Sequence, residues 1–141
     1  MMPESVPADR DDARPVVLLV EDHADTRQMY AEYLGALFRV IEAADGHEAL
    51  ERLRAQTPDL LITDISLPRV DGFELIAAMR ADPALRATPV ICLSGYGGHA
   101  HEARAREAGC DRILQKPCMP DALAEAVAEL LRQSRDRSKD A

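Results

Sequence analysis

Residues 60–72 read LLITDISLPRVDG and contain the pattern from which the fold can be inferred. The apolar run at the start predicts a buried strand that carries the carboxylate of Asp64 to its end. Pro68 bars an immediate helix, and Asp71-Gly72 then opens a helical pattern. Open α/β sheets place their chemistry at the carboxyl ends of their strands. Asp64 is therefore either a functional carboxylate or the cap of a simple strand-to-loop turn.

Short apolar runs and helical spacings alternate along the rest of the chain. The apolar runs predict strands at 16–20, 38–43, 59–63, 89–93 and 112–115. Helical spacing and capping residues predict helices that begin near Asp25, Asp45, Asp71, Gly98 and Pro120, the last ending at Arg132. Their short connections require right-handed parallel crossovers. We therefore expect an α/β fold, a three-layer α/β/α sandwich.

Composition limits the number of domains and the kinds of partner. The chain has 141 residues, enough for one domain with a real core. Its polar ends divide it into a flexible N-terminal arm at 1–14, a folded domain at 15–132 and a flexible C-terminal tail at 133–141. A net charge of −8 disfavours contact with a nucleic-acid backbone. The sequence contains neither an apolar run of the ~20 residues that span a bilayer nor a signal peptide. We therefore expect a cytoplasmic protein without membrane attachment.

The three cysteines, Cys92, Cys110 and Cys118, are odd in number and lack CxxC spacing. This usage argues against a disulfide framework or a zinc site and predicts reduced, mostly buried thiols. Cys118 falls near the predicted site, where neighbouring acids favour a packing role over oxidant sensing. His99 and His101 point in different directions on a helix, so we interpret them as surface residues rather than metal ligands.

Polar functional groups follow four of the predicted strands. Glu21-Asp22 follows the first strand, Asp64 the third, Ser94 the fourth and Lys116 the fifth. Carboxyl ends of parallel strands lie at one edge of a sheet, with neighbours about 4.8 Å apart. These side chains are therefore expected to form one shared site.

The chemistry of that site follows from its charges. Three carboxylates in one cleft repel, so either one stays protonated or a divalent cation neutralises them. Mg²⁺ fits, because it accepts a few oxygen ligands and leaves positions open for phosphate oxygens. Lys116 and Ser94 suit phosphoryl oxygens as well. Asp64 is thus predicted to be a nucleophile that forms an acyl phosphate.

The ordered set of motifs over residues 15–132 resembles the receiver domain of two-component response regulators. The motifs are Glu21-Asp22, residues 64–72 (DISLPRVDG), Ser94-Gly95 and Lys116-Pro117. The resemblance implies a flavodoxin-like, five-stranded parallel sheet in the order 2-1-3-4-5.

The resemblance also implies a role for each acidic residue. Asp64 is expected to be the phosphoacceptor. Mg²⁺ is expected to bind Asp22, Asp64 and the backbone carbonyl of Ser66, with Glu21 acting through a bound water.

Further implications concern phosphoryl binding and partners. Ser94 is expected to hydrogen-bond the transferred group, Lys116 to pair with it, and the Lys116–Pro117 peptide to be cis. The donor is expected to be a sensor histidine kinase or a histidine phosphotransfer protein. The output is expected to be a contact with a downstream protein, relay to another histidine or a phosphate-sink role. The domain would catalyse only its own phosphorylation and dephosphorylation.

The chain departs from the family pattern at several positions. Ile113 stands where receivers often place an aromatic residue three positions before the lysine, and Cys118 stands where Phe is common. We hypothesise that Tyr96 supplies the missing ring. Arg104, Arg106 and Arg112 form either an output patch or an ordinary solvated face.

Three other functions compete with the receiver interpretation. An aspartyl-phosphate enzyme requires an acid-base Asp two residues after the nucleophile, where this chain has Ser66. A flavodoxin-like cofactor binder requires a phosphate-binding loop after the first strand, where Glu21-Asp22 would repel phosphate. A receiver-shaped scaffold without phosphotransfer would not need the complete acidic set and Lys116.

Overall fold

The structure is a computed structural model that describes residues 13–67, 69–95 and 98–140. Strands and helices alternate strictly along these residues. The strands are β1 Val16–Val20, β2 Arg39–Ala43, β3 Leu60–Asp64, β4 Val90–Ser94 and β5 Arg112–Gln115. The helices are α1 Ala24–Gly35, α2 Gly46–Ala55, α3 Gly72–Ala81, α4 Gly98–Ala108 and α5 Pro120–Asp140.

The five strands form one parallel sheet in the order β2-β1-β3-β4-β5. The predicted α/β/α sandwich and the strand order implied by the resemblance are both confirmed. Strands β1, β3 and β4 are buried at every position, which explains why they are mostly continuous apolar runs rather than alternating ones.

Two apolar layers cover the sheet. On one face, Leu53, Ile76 and Ala105 of α2, α3 and α4 belong to a cluster with alternate residues of the strands. On the other face, α1 and α5 form the second cluster, which includes Leu34 and Val127. The helices therefore lie in two layers that bury the sheet and leave its carboxyl edge for the loops.

Helix α1 starts differently from the expectation. Asp25 was expected to be its N-cap, but the cap is His23, and Asp25 lies in the first turn. The backbone of His23 is extended, and its ring Nδ1 accepts a hydrogen bond from the Thr26 main-chain N–H at 3.3 Å. The imidazole of His23 thus accepts the capping hydrogen bond that the carboxylate of Asp25 was expected to accept.

Helix α5 is longer than the sequence predicts. It continues to Asp140 instead of ending at Arg132. Residues 133–140 contain neither Gly nor Pro, so nothing local stops the helix where its apolar stripe ends. Residues 1–12 of the predicted arm, Pro68, Tyr96 and Ala141 lie outside the described residues.

No helix in the described part of the chain combines the length and apolar character that a membrane span requires.

Candidate functional site

The carboxyl edge of the sheet brings the predicted polar residues together. Glu21 directly follows β1, Asp64 and Ser94 end β3 and β4, and Lys116 directly follows β5. Glu21, Asp64 and Ser94 are only 1%, 6% and 4% exposed. Polar groups buried to this degree need partners, and the partners of the two carboxylates define the site.

An acidic cluster lies at the centre of this edge. The carboxylates of Glu21, Asp22 and Asp64 each offer an oxygen within 4.8 Å of the other two. Asp22 is exposed while the other two are buried, so the cluster can be reached from solvent. The ligand set consists only of hard oxygen atoms, which fits Mg²⁺ better than a thiophilic metal.

Lys116 supplies the opposing charge. Its Nζ donates to Asp64 Oδ2 at 2.7 Å and to Glu21 Oε1 at 3.1 Å. Burial by itself would lower the pKa of Lys116, but the hydrogen bond and charge of Asp64, followed by those of Glu21, raise the pKa above its ordinary value. The Lys116–Pro117 peptide is cis, as the resemblance implies. The ammonium therefore stays protonated beside the carboxylate that it contacts.

Glu21 is held on both of its oxygens. Oε1 accepts from Lys116, and Oε2 accepts from the main-chain N–H of His23 at 3.0 Å. A carboxylate with two protein donors is less available for direct metal contact than that of Asp22. This arrangement is compatible with an outer role for Glu21 that acts through water.

The segment after Asp64 is fixed by close backbone contacts. The Gly72 N–H donates to the Ile65 carbonyl at 2.9 Å. A Cβ at Gly72 would lie 2.6 Å from the Asp64 carbonyl oxygen, so this position requires glycine. Asp71 caps α3 in a reciprocal capping box with Glu74, as the sequence predicts. Helix α3 thereby presses against the chain that carries Asp64.

The ends of β4 and β5 remain paired up to the site. The Lys116 main-chain N–H donates to the Ser94 carbonyl at 2.8 Å, one step beyond the pairing of Ser94 with Gln115. Ser94 is thus placed on the strand next to Asp64. Ser66 is exposed, and the metal contact of its carbonyl remains a prediction.

Sequence reasoning missed two residues that support the site from α1. Arg27 Nη1 donates to the main-chain carbonyl of Glu21 at 2.9 Å, and the Tyr30 hydroxyl donates to the carbonyl of Cys118 at 2.7 Å. Helical spacing does not indicate which groups these two side chains bind. Arg104, considered as an output or solvated residue, lies 4.2 Å above the Phe73 ring at the start of α3.

The burial of the cysteines only partly matches the prediction. All three cysteines are free; Cys92 is buried, whereas Cys110 and Cys118 are half-buried. Burial raises the pKa of Cys118, with the charge of Asp121 adding to the effect, so this thiol stays protonated near neutral pH.

Comparison with known proteins adds independent evidence. The sequence model of the response regulator receiver domain matches residues 17–128. The chemotaxis protein CheY4 of Vibrio cholerae is similar in structure, with a TM-score of 0.79 and 30% identity, covering 83% of this chain and 98% of that chain.

Curated relatives differ in how much of their length they share with this chain. The response regulator Rre1 of Synechocystis sp. is 34% identical over 122 residues, 84% of this chain and 53% of Rre1. The chain spans 8% of the hybrid signal transduction histidine kinase D of Dictyostelium discoideum, at 31% identity. It spans 94% of the polar-differentiation response regulator DivK of Brucella anthropi, also at 31% identity over 116 residues. With a family match over most of its length and relatives above 30% identity, the chain belongs to the response regulator receiver domain family.

Proposed function

We propose that this protein is a phosphoacceptor in a two-component phosphorelay and that Asp64 receives the phosphoryl group in a Mg²⁺-dependent reaction. The observation that carries the proposal is the position of the Asp64 carboxylate, which is buried at a strand end near the carboxylates of Glu21 and Asp22 and accepts a hydrogen bond from Lys116. The donor is the phosphohistidine of a sensor histidine kinase or a histidine phosphotransfer protein. The chain catalyses only its own phosphorylation and dephosphorylation.

The proposed step is an in-line transfer. An Asp64 carboxylate oxygen attacks the phosphorus, the P–N bond to the donor imidazole breaks with its electron pair passing to the nitrogen, and an acyl phosphate remains. Asp22, Asp64 and the Ser66 carbonyl would hold Mg²⁺, with Glu21 on one of its waters. When bound, the ion neutralises charge on the phosphoryl oxygens. Attack of water on the acyl phosphate then returns the carboxylate and inorganic phosphate.

Lys116 and Ser94 bind the phosphoryl group once it is on Asp64. The Lys116 ammonium, which contacts Asp64 Oδ2 at 2.7 Å, is close enough to move onto a phosphoryl oxygen. The Ser94 hydroxyl, at the end of the neighbouring strand, donates a hydrogen bond to the same group. The lysine thus exchanges one anionic partner for another during the reaction.

That exchange would alter the surface formed by α4, β5 and α5. Gln115 on β5 donates to Glu102 of α4 at 3.1 Å, and Arg112 pairs with Glu129 of α5 at 2.6 Å. Arg112 and Gln115 lie on β5, and Lys116 directly follows that strand. A shift of the lysine therefore reaches this surface within a few residues. A downstream protein reads the change. The net charge of −8 supports a protein partner over direct contact with nucleic acid, and we place the reaction in the cytoplasm without membrane attachment.

The test is incubation with a small acyl-phosphate donor and Mg²⁺, followed by intact mass measurement. We expect one added phosphoryl group in the wild-type protein and none in Asp64→Asn or in the presence of a chelator. Asp71→Asn, which changes a nearby acid outside the cluster, is the matched control and should still gain the group. A gain that persists in Asp64→Asn would overturn the proposal.

A further inference from the structure

Helix α1 contacts the backbone on both sides of the site. Arg27 and Tyr30 are three residues apart and so lie on neighbouring positions of one helix face. Arg27 donates to the carbonyl of Glu21, in the loop that carries the acidic pair, Glu21 and Asp22. Tyr30 reaches the carbonyl of Cys118, two residues after the lysine.

The guanidinium of Arg27 is also held by a second residue. Its Nε pairs with Glu42 Oε1 at 3.2 Å, and Glu42 lies on β2 opposite Leu19 of β1. The guanidinium therefore spans from the sheet to the loop with Nη1 on the Glu21 carbonyl. A planar group held at two points fixes that carbonyl more firmly than a lysine would.

The contact from Tyr30 is buried and specific. Tyr30 is 3% exposed, and burial is the main cause that raises its pKa, so the hydroxyl remains a donor. The segment that it holds borders an open groove of about 600 Å³, lined by residues that include Met29, Lys116 and Met119. A segment next to open space depends more on the bonds on its buried side.

We propose that Arg27 and Tyr30 are positioning residues for the phosphotransfer site, Arg27 fixing the acidic pair and Tyr30 fixing the segment of Lys116. This inference rests on the proposed function, and its tests include two NMR readouts that do not depend on phosphorylation. The two residues act through different groups. Each should therefore change a different measured property.

Tyr30→Phe removes only the hydroxyl and keeps the ring in the core. The chain has two lysines, Lys116 and Lys139, so lysine labelled with ¹³C at Cε gives two NMR signals, one of which is an internal reference. We expect the Lys116 signal to shift towards that of Lys139 and phosphorylation by a small donor to slow about fivefold to tenfold. Mg²⁺ affinity should change less than twofold.

Tyr33→Phe is the matched control, because Tyr33 lies one turn further along α1 and is 44% exposed. It should leave the Lys116 signal and the rate unchanged. An unmoved Lys116 signal in Tyr30→Phe, or an equal effect of both substitutions, overturns the role of Tyr30.

Arg27→Met should show the opposite pattern. We expect the Mg²⁺ dissociation constant, measured from the amide shifts of the β1–α1 loop, to rise about fivefold, with the Lys116 signal in place. Arg27→Lys should recover part of the affinity, because an ammonium can reach the Glu21 carbonyl without also pairing with Glu42. Arg52→Met is the control, since Arg52 makes a comparable pair with Glu48 on the surface of α2.

Unchanged Mg²⁺ affinity in Arg27→Met overturns the role of Arg27. If the wild-type protein binds Mg²⁺ but takes no phosphoryl group, the proposed function fails. The two NMR readouts would still decide whether Arg27 and Tyr30 position the acidic pair and the lysine.

Discussion

The ammonium of Lys116 competes with a cation for the same carboxylates. Its Nζ contacts both Asp64 and Glu21, so a cation bound at the cluster meets a like charge close by. We expect Lys116→Met to bind Mg²⁺ about fivefold to tenfold more tightly while losing most of its phosphorylation rate. Calorimetric titration measures the affinity, with Lys139→Met as the control. Weaker Mg²⁺ binding in Lys116→Met would show that the lysine does not oppose the cation.

Individual site residues were predictable where position alone determines proximity. Glu21, Asp22, Asp64, Ser94 and Lys116 all lie at or just after the carboxyl ends of strands of one parallel sheet, and that geometry brings them to one edge. The hydrogen bond from Tyr30 to Cys118 was not predictable, because it joins positions 88 residues apart through a main-chain carbonyl. Such a carbonyl leaves no mark in the sequence pattern.

At the scale of elements, α3 and β3 are coupled through Gly72. A Cβ at this position would meet the Asp64 carbonyl at 2.6 Å and the Ile65 Cα at 2.8 Å. We expect Gly72→Ala to lower the free energy of unfolding by ~1–3 kcal/mol, the usual cost of overpacking. Urea denaturation measures it. Gly35→Ala is the control, since nothing lies within 4 Å of a Cβ there, and should be neutral or stabilising. Equal stability of the two variants would contradict the coupling.

The ion pair between β5 and α5 gives a pH-dependent contribution. The hydrogen bond from Arg112, then its charge, lowers the pKa of Glu129 below its ordinary 4.5. A lowered carboxyl pKa stabilises the fold above pH 4.5, and this contribution is lost as the pH falls through the lower folded-state pKa. We expect the small difference in melting temperature between wild type and Glu129→Gln at pH 7 to vanish below that pKa. A difference that grows on acidification would contradict this account.

Element boundaries were predictable where a capping group has a recognisable pattern. Asp71 and Glu74 form the expected capping box. The start of α1 was misassigned because the ring of His23 accepts a capping hydrogen bond of the kind expected of the Asp25 carboxylate. The end of α5 was misassigned because the loss of apolar spacing after Arg132 marks the end of burial and not the end of a helix.

For the whole molecule, binding of Mg²⁺ should stabilise the fold. An ion that binds the native state and neutralises clustered carboxylates raises stability, by about 2.7 kcal/mol at 100 times the dissociation constant. We expect the melting temperature to rise with MgCl₂ and to change little with NaCl of the same ionic strength. Asp22→Asn should remove most of the Mg²⁺ effect. An equal rise with both salts would indicate general screening of the net charge of −8 instead of a site.

The architecture was predictable because alternation of strands and helices with short connections permits few solutions. The strand order β2-β1-β3-β4-β5 came from the family resemblance, since periodicity does not determine which strands are neighbours. Buried strands such as β3 can be recognised as short, mostly apolar runs, because both of their faces are covered.

The central claim is that Asp64 carries the phosphoryl group, and chemical trapping tests it most directly. Borohydride reduces an aspartyl phosphate to homoserine, so peptide mass mapping after reaction with an acyl-phosphate donor and Mg²⁺ identifies the modified residue. We predict homoserine at position 64, with Asp22 unmodified and with no conversion when Mg²⁺ is chelated. Conversion at another aspartate, or none at position 64 in fully folded protein, would contradict the account.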